Sequence, residues 1–206
     1  MFTNALLVIV AAVFSQNFIL VKFLGICPFL GVSKRTSSAF LMGVAVTLVM
    51  VIATLVTYPL YTYVLLPLKI EYLEIIFFIF IIAAIVQMLE KIIGKISPAL
   101  YKTMGIYLPL ITTNCAILGV AELVTVNVVN LSDVVSAVSA GVAMNLGWAL
   151  LYAFCAGLGF TLAMVIMGGV RERIEKLPVA KCMKGFPITM VTASLMAMAF
   201  YVFSLI

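Results

Sequence analysis

Cys27-Pro28-Phe29-Leu30-Gly31-Val32-Ser33 returns as Cys115-Ala116-Ile117-Leu118-Gly119-Val120-Ala121, the same C-x-x-L-G-V-[Ser/Ala] pattern 88 residues further on. Each copy sits among residues that interrupt a helix. Gly25, Pro28 and Gly31 surround the first cysteine; Pro109, Thr112, Thr113, Asn114 and Gly119 surround the second. Proline removes a backbone donor and glycine loosens the helix. In hydrocarbon such breaks persist only where they are buried against protein or line a cavity. The copies belong to the first and fourth helices, a shift of three helices, and an odd shift turns the second copy over relative to the first. Inverted repeats of this kind gather functional sites near the bilayer midplane, at the repeat interface.

The surrounding composition leaves lipid as the main solvent. Of 206 residues, 66% are hydrophobic and only 9% are charged, against roughly 45–50% and about 25% in soluble domains. Apolar runs cover about Ala5 to Leu24, Ala39 to Leu66 with Pro59 near its end, and Tyr72 to Ile93. Three more cover about Gly105 to Val129, Val138 to Val170, and Phe186 to Ile206. The first run is expected to end in a loop at Gly31-Val32-Ser33-Lys34-Arg35. The fifth exceeds one straight span, so its early part is expected to tilt or to lie at the interface. The predicted fold is therefore an all-α integral membrane protein of six transmembrane helices in a single domain. Two inverted three-helix repeats divide it, the first up to about residue 95 and the second from about 100 to 206, with helices one and four broken into half-helices.

Charge sets the orientation, because short cytoplasmic loops hold Lys and Arg. Ten of the twelve basic residues fall in alternate loops: Lys34 and Arg35; Lys91, Lys95 and Lys102; Arg171, Arg173, Lys176, Lys181 and Lys184. The opposite loops hold Lys69 with Glu71 and Glu74, then Glu122 with Asp133. Both termini are expected on the outer face of a cell (inner, cytoplasmic) membrane. Met1 to Val21 carries no Lys or Arg, so this stretch is expected to be a retained helix and not a cleaved signal. Lys22 snorkels to the inner interface. The net charge of +5 comes from these dispersed clusters and not from one water-facing basic surface, which argues against nucleic acid. The absence of histidine removes histidine-ligated haem, Rieske-type centres and histidine proton relays.

A lone cysteine at membrane depth is ordinarily a small apolar core residue. Cys155 and Cys182, which lack counterparts in the other half, take that reading. Two cysteines at equivalent positions beside broken backbone instead point to a shared site, and half-helices meeting head to head would bring Cys27 and Cys115 together around a pseudo-two-fold axis. Two thiolates are too few for a buried iron–sulfur centre, which usually takes four, so a symmetric partner would have to supply two more. Candidates for an ion path are Glu122, seven residues after Cys115 on the same helix face, and Glu90 at the inner end of helix three. Thr112, Thr113, Asn114 and Asn145 offer oxygens. The alternative for the glutamates is interfacial solvation, and for the threonines and asparagine it is satisfying the broken backbone. An inverted-repeat secondary transporter without a redox centre is the rival reading, although the midplane offers cysteines where a transporter usually places charge or a polar pocket.

The stretch from Asn17 to Lys34, read as NFILVKFLGICPFLGVSK, resembles the A subunits of the Rnf (Rsx) ion-translocating electron-transport complexes, as does GIYLPLITTNCAILGV from Gly105 to Val120. Arg171-Glu172-Arg173 and Val191 to Met196 fit the same pattern, and the similarity covers nearly the whole chain. NqrE of the sodium-pumping quinone reductase is related, but the two long strings favour Rnf. The resemblance implies one component of a translocase, not catalytic alone. The whole complex passes electrons between ferredoxin and NAD and moves Na⁺ or H⁺. It implies pairing with a homologous subunit of opposite orientation, RnfE, beside the B, C, D and G components. It also implies a [2Fe–2S] cluster within the membrane, to which Cys27 and Cys115 contribute two ligands as an electron relay. Reducing that relay in a low dielectric is expected to favour arrival of a cation. Two departures stand out: Thr125 to Ala140 is longer than usual, and Ser194 occupies an expected glycine position. The S-G-A-T attachment motif of flavin-carrying subunits is absent, so no flavin is expected on this chain.

Overall fold

The computed structural model describes residues 13, 17–32, 36–65, 73–96, 108–129, 146–174, 176 and 185–205. Among them the regular structure is entirely helical: α1 (Ile26–Val32), α2 (Thr36–Leu60, continued as a π-helical turn over Tyr61–Leu65), α3 (Glu74–Ile96), α4 (Leu108–Thr112), α5 (Cys115–Val129), α6 (Leu146–Ile174) and α7 (Phe186–Leu205). Three described stretches are long and apolar enough to cross a membrane, Thr36–Leu65, Glu74–Ile92 and Leu146–Ile174, of 30, 19 and 29 residues. At 1.5 Å per residue these reach about 45, 28 and 44 Å, against roughly 30 Å of hydrocarbon. Leu110–Thr125 and Phe186–Val202 are shorter apolar helices. The chain is an all-helical membrane protein.

Several predicted boundaries move, each for a local reason. Within the first run, residues 17–24 are not helical, and its earlier residues, Val13 apart, lie outside the described ones. From Asn17 the chain enters turns in which Val21 N bonds to Asn17 O at 3.0 Å and Leu24 N to Phe18 O at 2.8 Å. Phe23 and Gly25 take positive φ values of 56° and 81°. The helix then restarts at Ile26, so Gly31 and Val32 are helical, not loop. The second helix starts earlier than predicted, at Thr36, and Pro59 lies inside it. With no N–H, Pro59 leaves a carbonyl of the preceding turn without its helical partner, and the next turn widens to the π form. The fifth run extends further along the chain than predicted, to Ile174; its early part, residues 138–145, lies outside the described residues.

The chain forms two compact units, one of residues 1–47 with 155–206 and one of residues 48–154. In the first, α2 and α6 cross through small residues. A Cβ on Gly43 would fall 2.7 Å from the Thr161 side chain, and one on Gly157 would fall 2.6 Å from that of Thr47. The two threonine hydroxyls are 3.2 Å apart. The contacts are reciprocal and the helices antiparallel. Each hydroxyl also bonds the carbonyl one turn back, Thr47 to Gly43 at 2.8 Å and Thr161 to Gly157 at 2.9 Å, so neither is left bare in an apolar crossing. In the second unit, α3 packs on α4 and α5. Its inner face repeats every fourth residue as Glu74, Phe78, Ile82 and Val86, all buried. Tyr61 meets Phe78 edge-on at 6.4 Å. Ile75, Ile76, Phe80 and Met88 on its other faces are exposed, as a lipid-facing surface requires.

Candidate functional site

Cys27 is the second residue of α1, and Cys115 is the first residue of α5. Both thiols are free and exposed. Each therefore opens a helix directly after the break that the sequence placed there, and each lies in the first turn, where backbone N–H groups lack helical partners.

The two breaks are built by asparagines. Before Cys27, the Asn17 side chain is fully buried. Its Oδ1 accepts from Ile19 N at 3.1 Å and Leu20 N at 3.4 Å. Its Nδ2 donates to Val13 O at 3.2 Å and to Gly159 O of α6 at 2.9 Å. One amide thus satisfies the turn and ties it to a neighbouring helix. Before Cys115, Asn114 is the N-cap of α5: its Oδ1 accepts from Ala116 N at 3.0 Å. That bond fixes which end of the amide is oxygen, and the Nδ2 on the other end is buried without a partner. The Asn114 oxygen read as a possible ion ligand is thus engaged with backbone. Cys115 Sγ lies 3.9 Å from Thr113 O.

The remaining sequence candidates are spread along the helices. Glu122 is half-buried two turns along α5 from Cys115, Glu90 is half-buried on α3, Thr112 is half-buried and Thr113 is exposed. Asn145 and Cys182 lie outside the described residues, and Cys155 is buried in α6. Among the described residues no group of three or more His, Cys, Asp or Glu is placed to hold a metal ion.

Three features go beyond what the sequence predicts. Glu74, expected as an outer-loop charge, is buried and hydrogen-bonded to the hydroxyl of Thr125, itself fully buried on α5. Asn17 is a polar residue inside an apolar run, which is itself a signal of a special role. Arg171 and Glu172, read in the sequence only as a loop charge and as part of a family motif, are engaged at the end of α1 and the start of α2. Arg171 Nη1 donates to Leu30 O at 2.8 Å, while Glu172 Oε1 accepts from Thr36 N and Thr36 Oγ1 at 2.8 and 2.9 Å.

A membrane protein, helical throughout its described residues, with a repeated cysteine motif on interrupted helices is the class that these observations define. The chain belongs to the Rnf-Nqr family of membrane-protein subunits, whose profile matches residues 5–152 and 149–206. It is similar to the A component of the Na⁺-translocating ferredoxin:NAD⁺ oxidoreductase complex of Acetobacterium woodii, at 50% identity over 197 residues, covering 96% of this chain and 95% of that one. The A component of the ion-translocating oxidoreductase complex of Syntrophotalea carbinolica is 46% identical over 201 residues, covering 98% and 96%. That of Actinobacillus pleuropneumoniae serotype 5b is 46% identical over 199 residues, covering 97% and 95%.

Proposed function

We propose that this chain is the A-type membrane component of an ion-translocating ferredoxin:NAD oxidoreductase complex, and that Cys27 and Cys115 supply two of the four thiolates of an intramembrane [2Fe–2S] cluster. The observation that carries this reading is the pair of free, exposed thiols, each at the start of a helix that follows a break. Iron–sulfur clusters are held by cysteine thiolates, four to a cluster. A chain that presents two, with no larger ligand group among its described residues, fits one half of such a centre. A homologous, oppositely oriented RnfE-like subunit supplies the other half. Further components of the B, C, D and G types complete the electron path.

When bound there, the cluster supplies a one-electron relay partway across hydrocarbon roughly 30 Å thick. The chain's own residues hold and shield the ligands. Asn17 and Asn114 satisfy the backbone of the two breaks. An apolar groove lined by Ile19, Phe23, Ile26, Phe29, Met190 and Ala197 adjoins the Cys27 segment. Glu122, Glu90, Thr112 and Thr113 are the candidates for moving Na⁺ or H⁺. The inverted-repeat arrangement is supported by the matching Gly-x-x-x-Thr segments Gly43–Thr47 and Gly157–Thr161, which pack against each other antiparallel. The basic inner loops support a location in the cell inner membrane with both termini outside.

The test is to purify the complex and measure iron and the EPR signal of the reduced cluster, with Cys27→Ala and Cys115→Ala alongside. Each substitution is expected to abolish that signal. Iron and signal untouched by both changes would remove the reading.

A further inference from the structure

We propose that Asn17 and Arg171 are positioning residues that fasten the Cys27 segment to α6 at two points, one on each side of the cysteine. The assignment rests on the function proposed above for Cys27 and deepens it.

The chain from Asn17 to Gly25 is not helical, and Phe23 sits at a φ of 56°, a conformation that L-residues with a large side chain rarely adopt. Such a segment stays in one shape only where its surroundings over-determine it. On its leading side, the Asn17 amide donates to Gly159 O of α6 at 2.9 Å while accepting from Ile19 and Leu20. On its trailing side, α1 is seven residues long, and its last four carbonyls have no partner within it. Arg171 takes one of them, Leu30 O, at 2.8 Å. A guanidinium at a helix C-terminus also meets the negative end of the helix dipole.

Both attachments are to one helix. Gly159 and Arg171 are twelve residues apart on α6, about 18 Å. The neighbouring Glu172 holds the start of α2 through Thr36 N and Oγ1, and Gly168 lies close enough that a Cβ there would sit 3.2 Å from Thr36 Cα. The cation thus serves the end of one helix and the carboxylate the beginning of the next, each with the sign its dipole prefers. Asn17 and Arg171 act on the thiol through the backbone that carries it.

The experiment uses the assembled complex in four forms: wild type, Arg171→Gln, Arg171→Lys and Asn17→Asp. Asn17→Asp keeps the oxygen that accepts from Ile19 and Leu20 and removes the donor to Gly159. In complex stripped of iron by a chelator under reducing conditions, the maleimide labelling rate of Cys27 is read against Cys115. Losing a hydrogen bond with a charged partner is expected to raise that ratio at least about tenfold in Arg171→Gln. Asn17→Asp is expected to raise it as well, and Arg171→Lys, which keeps the charge, should fall back toward wild type. In unstripped complex the same variants should shift the g-values of the reduced cluster. A labelling ratio and spectrum unchanged in Arg171→Gln and Asn17→Asp would overturn the assignment. Should Arg171→Gln fail to accumulate, Arg171→Lys and Asn17→Asp decide by the same two readings. A wild-type complex with no cluster signal would instead remove the function proposed for Cys27, while the labelling ratio still decides whether the fasteners exist.

Discussion

Asn114 and Asn17 meet similar demands with different success, and the difference can be measured. Asn17 uses both ends of its amide, whereas Asn114 caps α5 with its oxygen and leaves a buried N–H₂ unpaired. A buried donor without a partner costs about 1–3 kcal/mol, and an N-cap contributes typically about 1 kcal/mol. Asn114→Ser keeps a capping oxygen and discards the unpaired donor, so it should be at least as stable as the parent. Asn114→Ala loses the cap and should fall about 1 kcal/mol below the serine variant. Thermal unfolding of the purified complex separates the two. Glu74 is buried and bonded to Thr125, so its hydrogen bond can be weighed in the same way. Glu74→Ala is expected to cost about 2 kcal/mol, and Glu74→Gln, which retains a hydrogen-bonding group of the same size, less than about 1 kcal/mol. Equal losses in the two variants would show that the hydrogen bond contributes nothing.

Among the elements, the α2–α6 crossing is the most exacting. Methyl groups at Gly43 or Gly157 would come within 2.9 Å of the backbone Cα of Thr161 or Thr47, so side-chain rotation alone cannot clear them. Gly43→Ala and Gly157→Ala should each destabilise by about 1–3 kcal/mol, the range for overpacking, while Gly147→Ala, with nothing near its added carbon, should not. A lowered unfolding temperature in all three, or in none, would contradict a close crossing at these two glycines. Most elements could be read in the sequence because hydrocarbon demands long apolar runs; α3 and α7 lie close to the predicted spans. What could not be read arises from side chains reaching across the fold. Thr36 begins α2 because Glu172, 136 residues away, accepts its N–H. The turn from Asn17 to Gly25 forms because an asparagine finds Gly159. Apolar periodicity carries neither fact. Pro59 is visible in the sequence, but the π-turn that follows it depends on how the next residues pack, with Tyr61 and Leu65 buried.

For the molecule as a whole, the basic loops make a directional prediction. Arg173, exposed in the last turn of α6, should react only from the cytoplasmic side when changed to cysteine and probed with an impermeant maleimide. Labelling from outside would reverse the topology. The helix breaks before Cys27 and Cys115 were legible because a repeat with helix breakers is written directly in the residues. The supporting asparagine and arginine contacts were not, since each joins positions about 140 apart in the chain. Those long joins also bear on how the protein is made. At about 5–20 residues per second, some 7–28 s pass between synthesis of the Asn17–Leu30 segment and synthesis of the α6 residues that hold it. During that interval the first cysteine is already in the membrane, but its final geometry is not yet available. Iron delivered at that stage would meet an unformed ligand, so loading of the cluster proposed above belongs after Gly159 and Arg171 have been made and inserted.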